Sequence, residues 1–422
     1  MIGRSIGSVI DAHAGLVRAN LPGVAIGDGV HIHAGEAMIR GFVQSLSNGA
    51  AMITPRGAIE GIVAGDMVSS TPAALTLPLG MAALGRAFDS SGRPLDARGP
   101  IDGLQTRLES RAPGADERAA VCSPLWTGVR VVDGLLTIGR GARIGLFGAP
   151  GVGKSTVLSM FARGISVDAV VVGLIGERGR EAADWIERCN PRMSVICASS
   201  DRSAAERIAA AKAAMAQACA LRSRGLDVLV ILDSLARFGA ALREVAVACG
   251  EPVGRGGFPA SVFAQTAKLV ETAGRTRTGS LTLVATVLSD GADERDPLSD
   301  AARSLLDGHI VLTPALAHAG RYPAVDVLAS ASRTMEAVVE AGQAAAARSV
   351  RRALAALKES EDARSLGLAI TDPVALRAQA AAGQLEDFLR QGEVCINPAQ
   401  TLDELRNLAD TLEGHLWTSQ AI

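Results

Sequence analysis

A chain of 422 residues, 48% of them hydrophobic and 20% charged, is long enough for about three domains and too apolar to remain disordered. Its formal net charge of −2 excludes a general electrostatic attraction for nucleic acid or for an anionic membrane surface. There is no signal-peptide pattern at MIGRSIGSVIDAHAGLV and no run of about 18 apolar residues, so a cytosolic protein without a membrane span is expected. The six cysteines form no CxxC pair and show no zinc-like spacing, which points to reduced, structural thiols.

Residues 7–69 read as short β-type runs separated by Gly and Pro, a pattern expected of a small β-barrel or sheet domain. His31 and His33 alternate around Ile32 and share one strand face; without a third ligand nearby, a solvated face is expected rather than a metal site. Apolar strand candidates at residues 143–148, 169–175, 193–198, 227–233 and 281–287 then alternate with helical stretches. Such alternation predicts an α/β arrangement, a mostly parallel sheet covered by helices. Residues 203–225 open on a Ser and close on a Gly, the start and stop signals of one long Ala-rich helix. Beyond about Met335 the strand signals cease and apolar residues recur at helical spacing.

The segment Gly148-Ala149-Pro150-Gly151-Val152-Gly153-Lys154-Ser155 matches GxxxxGK[ST] in full and lies between a predicted strand and a predicted helix. Glycines let a backbone close around phosphates, with N–H groups and the helix N-terminus facing the negative charge. Lys154 adds a cation and Ser155 a hydroxyl for Mg²⁺, while Thr156 is expected to support the helix. Mg-ATP is therefore the expected ligand. Asp233 ends an apolar strand, where open α/β sheets place their ligands, and fits the carboxylate on the metal side. Glu177 and Arg178, in GLIGERGRE, follow the strand after the P-loop helix. Glu177 could orient the attacking water and Arg178 could steady the phosphate; equally, spacing allows a surface ion-pair group of Glu177, Arg178, Arg180 and Glu181.

Several segments jointly resemble the F-type/V-type rotary ATPase superfamily, and more closely its type III protein-export branch of injectisomes and flagella. The segments are LGRAFDSSGRPLDARG, GVRVVDGLLTIGRGARIGLFGAPGVGKST, GLIGERGRE, ILDSLARF, GFPASVFAQTAKLVETAG, DPLSDAARSLLDGHIVL and YPAVDVLASASR, and the resemblance extends over nearly the whole chain. The resemblance implies an N-terminal β-barrel (residues 1–70), a RecA-like P-loop domain (71–338) and a helical C-terminal domain (339–422). It implies that Glu177 is the catalytic carboxylate, that Arg178 contacts the γ-phosphate and that Tyr322 packs beside adenine. Arg333 resembles an arginine finger serving a neighbour's ATP, which implies a homohexameric ring. The implied partners are a stator-like regulator, stalk and export-gate proteins and substrate–chaperone complexes, with peripheral association at the inner-membrane base of a secretion apparatus and no nucleic acid. VLASASR leans to the injectisome over the flagellar enzyme. An RNA translocase, an ATP synthase catalytic subunit and a nucleotide-binding scaffold are the alternatives. The sequence departs from the branch in two places: barrel-like sequence begins almost at Met1, where an N-terminal helical extension is usual, and SLGLAITDPVALRAQ replaces a Gly-Ala-Tyr-rich stretch upstream of FLRQ.

Overall fold

In the computed structural model, residues 5–414 are described apart from 14, 48, 57–58, 72–75, 104, 108–110, 289–295 and 366–368. The start of the chain and part of the SLGLAITDPVALRAQ segment thus lie outside the described residues.

Six antiparallel strands close into a barrel in the order Ile6–His13, Leu16–Asn20, Ala50–Arg56, Ala37–Ser47, Gly29–Ala34, Met67–Thr71. Alternating residues point inward, and Val17, Ile32, Val43, Ile53 and Val68 are sealed from solvent in its core. His33 bonds Ser69 Oγ at 3.2 Å. Among the described residues no cluster of three His, Cys, Asp or Glu side chains could hold a metal.

The central sheet runs in the order Val325–Ser332, Gly308–Leu312, Arg143–Gly148, Ser280–Leu288, Asp227–Asp233, Ala169–Ile175, Met193–Ala198, Ala87–Asp89. Along this path only Val325–Ser332 is antiparallel to its neighbour. Every residue of Ala169–Ile175 is buried, as expected for a strand covered on both faces. Its period-two alternation divides two cores: Val170, Val172 and Leu174 join the P-loop helix Lys154–Gly164 on one face, while Val171 and Ile175 join helix Ala204–Arg222 on the other.

Helix Ala204–Arg222 starts at a capping box, with Ser203 Oγ accepting from Glu206 N and Glu206 Oε2 accepting from Ser203 N. Its small side chains let it lie close to the sheet. A Cβ on Gly173 would stand 2.9 Å from Ala214 Cβ and 3.1 Å from Leu232 Cδ1.

Helices Ala341–Ser365, Pro373–Ala380, Ala382–Leu389 and Pro398–Glu413 share one hydrophobic cluster with the P-loop helix. Polar contacts reinforce this docking. Gln391 accepts from Arg130 N at 2.7 Å and donates from its side chain to Gly128 O at 2.7 Å and from its backbone to Tyr322 O at 2.9 Å. The receiving loop is held by buried Asp133, which accepts from Thr127 N, Thr127 Oγ1 and Gly128 N; burial nevertheless pushes its carboxyl up to about 7.

Gly173→Val overfills the seam between sheet and helix and is expected to cost about 1–3 kcal/mol, read as a lowered Tm in thermal unfolding. An unchanged Tm would show that the helix can move away freely.

Candidate active site at the carboxyl ends of the parallel strands

Strand Arg143–Gly148 runs into a loop in which Gly151 and Gly153 have φ of 84° and 93°, a left-handed conformation that suits glycine. Buried Val152 anchors the loop in the core. Helix Lys154–Gly164 then begins with neither a side-chain cap nor an acidic residue in its first turn, so its N-terminal dipole is left for an anion. Lys154 Nζ donates to Gly148 O at 2.7 Å and Ala149 O at 2.6 Å, which holds the ammonium on the loop's own carbonyls. Pro150, Ser155 and Thr156 are exposed.

Asp233 ends a strand paired with Ala169–Ile175 in a register that sets Leu174 beside Asp233, so Glu177 follows at the same edge of the sheet. Asp233 is 8% exposed and Glu177 6%. Asp233 Oδ1 accepts from Thr286 Oγ1 at 2.5 Å; burial raises its carboxyl against that hydrogen bond. Backbone bonds hold Glu177 in place, Gly176 N to Ala198 O at 2.6 Å and Ser200 N to Glu177 O at 3.0 Å. Its carboxylate lies 3.3 Å from Arg237 Nη1, which also donates to Gly176 O. The carboxyl is raised to about 8, by burial first and by the charge of Asp233 second, with Arg237 opposing and Glu181 adding to the rise.

The fold thus gathers the P-loop, Lys154, Glu177 and Asp233 at one edge. Arg178 is the exposed N-cap of helix Gly179–Glu187 and makes no ion pair among the described residues. Tyr322, 47% exposed, covers Gly153, its ring 3.6 Å from where a Cβ on that glycine would stand. Arg333 is elsewhere. Val325 pairs with Leu312, the partner of Gly148 at the P-loop end, whereas Ser332 pairs with Gly308, the partner of Ile144. Arg333 therefore lies past the opposite end of the sheet, ~15 Å or more along the strands from its own P-loop. It is exposed, without an ion pair among the described residues.

Arg237, which motif reading passed over, is the ion-pair partner of Glu177. A signal for it exists in ILDSLARF: Ser234 caps helix Leu235–Ala248 by accepting from Arg237 N, so a residue four past Asp233 returns over the strand ends.

A glycine loop around an open helix N-terminus, with a lysine and two buried carboxylates alongside, defines a P-loop nucleoside-triphosphate hydrolase. The nucleotide-binding domain of the ATP synthase alpha/beta family matches residues 128–332. A type 3 secretion system ATPase of Sinorhizobium fredii is 42% identical over 398 residues, covering 92% of this chain and 88% of that protein. A flagellum-specific ATP synthase of Pseudomonas aeruginosa is 40% identical over 397 residues, covering 90% and 85%. The assembled ATPase EscN of the enteropathogenic E. coli type III secretion system superposes with a TM-score of 0.90 at 34% identity, covering 96% of this chain and all of that one. EscN in complex with its central stalk EscO gives 0.87. This chain belongs to the type 3 secretion system ATPases of the ATP synthase alpha/beta family, and it is an ATP hydrolase.

Glu177 binds its proton more tightly when folded than its ordinary value of 4.5 allows, so its carboxyl costs nothing below that pH and destabilises the fold progressively up to about 8. Glu177→Gln is therefore expected to raise the Tm of the nucleotide-free, magnesium-free protein by a few degrees near pH 8.5 and hardly at all near pH 5. Equal differences at both pH values, by calorimetry, would contradict this.

Proposed function

We propose that the chain forms a homohexameric ring that hydrolyses Mg-ATP to energise type III protein secretion by releasing, unfolding or delivering export substrates. The observation that carries the ring is the separation of Arg333 from its own P-loop, because a finger so placed can serve only another chain's nucleotide. In this reading residues 1–70 form the barrel, 71–338 the catalytic domain and 339–422 the helical domain.

Each side chain then has a task. Lys154 leaves the loop carbonyls for the phosphates, which the N–H groups of residues 148–156 surround. Glu177 accepts a hydrogen bond from the attacking water and aligns it, its basicity raised by burial. Arg178 steadies the γ-phosphate, and the neighbour's Arg333 meets charge that develops on it. Tyr322 offers a flat face to adenine. For Mg²⁺, the exposed Ser155 hydroxyl and the Asp233 oxygen that Thr286 leaves free are hard oxygen donors of the right kind. The ion, when bound, neutralises phosphate charge.

The injectisome branch is favoured because type 3 secretion system ATPases recur among the similar proteins, EscN included. The flagellar export ATPase is the second reading, supported by the Pseudomonas aeruginosa relative. By likeness to EscN and its stalk, a central stalk is a proposed partner, with a stator-like regulator, export-gate proteins and chaperone–substrate complexes beside it. The place of action is the cytoplasmic side of the inner membrane; among the described residues no helix is long and apolar enough to cross a membrane.

Glu177→Gln and Arg333→Ala are each expected to lower Mg-ATP turnover by ~10³-fold or more while nucleotide binding persists. Mixing the two variants should restore activity at about a quarter of randomly formed interfaces, since each supplies what the other lacks. Failure of the mixture, with both variants folded and assembled, would sink the shared-site ring. Specific activity that is flat across protein concentrations spanning assembly would do the same.

A further inference from the structure

A group of cations at the junction of barrel and central sheet takes no part in the nucleotide site. Strands Ala37–Ser47 and Ala50–Arg56 pair so that Arg40 stands directly opposite Arg56, a repulsive arrangement in a sheet. Arg93, from the turn after Ala87–Asp89, joins them with Met38, Ser91 and Gly92 around a cleft of ≈ 440 Å³. Arg40 and Arg93 are exposed, so the cleft opens to solvent. None of the three arginines forms an ion pair among the described residues. Arg56 reaches only Ser90 O, at 3.3 Å, and its Nε is buried without a partner. Lys212, on the helix that packs against the Arg56 strand, adds a further positive charge close enough to act on Arg56.

Carboxylates compensate only in part, and none pairs directly with these arginines among the described residues. Asp89 and Glu206 act on Arg56 from a distance, but Asp89 Oδ1 is taken by Ser91 N, Ser91 Oγ and Arg93 N at 2.8, 2.6 and 3.0 Å. Glu206 closes the capping box of its helix. Burial lowers Arg56 to about 10, which still leaves it a cation at neutral pH.

We propose that this cleft binds a small phosphate-bearing anion through Arg40, Arg56 and Arg93. Guanidinium forks match phosphate oxygens two at a time, and several charges on one small ligand relieve the Arg40–Arg56 repulsion. The volume suits a small molecule rather than a folded partner. Free diphosphate and the diphosphate of a nucleotide present the same oxygens.

Isothermal titration of the full chain without magnesium tests this, with pyrophosphate and ADP as separate probes, in wild type and in Arg40→Gln/Arg93→Gln. The double variant is expected to bind one pyrophosphate fewer per chain while Mg-ATP turnover stays within about twofold. If ADP also loses one site, the ligand is a nucleotide; if only pyrophosphate does, it is a free phosphate. Equal pyrophosphate stoichiometry in the two proteins overturns the proposal. Should the double variant not fold, Arg93→Gln alone is expected to weaken the second site about tenfold, and an unchanged affinity overturns the proposal equally.

Discussion

Two carboxylates are held out of water at the ends of adjacent parallel strands, and Arg237 is the counter-charge that acts on both. Burial first, and the nearby charge of Asp233 second, disfavour the charged form and push the Glu177 carboxyl up to about 8, against the pull of Arg237. The surrounding structure bears the cost of that burial. The strand pairing of Leu174 with Asp233 fixes their separation, Thr286 occupies one Asp233 oxygen, and the backbone bonds of Gly176 and Ser200 fix the Glu177 main chain. A buried polar cluster of this kind keeps its geometry only where the scaffold locks its members in place.

The scaffold achieves this through close approach. Small residues let helix Ala204–Arg222 lie against the sheet at Gly173, and the same helix begins just past Ser200, whose N–H holds Glu177. On the other face the P-loop helix shares its core with the C-terminal helices, and Gln391 ties those helices to Gly128 and to Tyr322. Tyr322 in turn lies over Gly153. A displacement of the C-terminal helices therefore has a short, bonded route to the residue that covers the phosphate loop.

The antiparallel edge strand adds a geometric constraint. Because it turns back from the P-loop end, whatever follows Ser332 emerges at the far end of the sheet. One chain cannot fold Arg333 onto its own P-loop without dismantling that edge. Two chains in a ring can bring the two ends together.

Local pattern was enough for much of this. The P-loop, the parallel strands, the Ser203 cap and the loss of strands after Ser332 are all encoded within windows of a few residues, where propensity, capping chemistry and apolar period act directly. One residue-level reading was open from spacing and depended on long-range pairing. Glu177 had the local neighbours of a surface ion-pair group, yet it is buried against Arg237, 60 positions along, because parallel strands align at their carboxyl ends. Arg40 and Arg56 look like unrelated surface arginines until the barrel register sets them face to face. The C-terminal helices were legible from their apolar spacing, whereas the core they share with the P-loop helix comes only from tertiary packing. The chain by itself determined which elements form and what chemistry they carry; the tertiary structure alone decided which charges meet and which are cut off from water, because charge interactions depend on distance and burial, and both are set by contacts between distant segments.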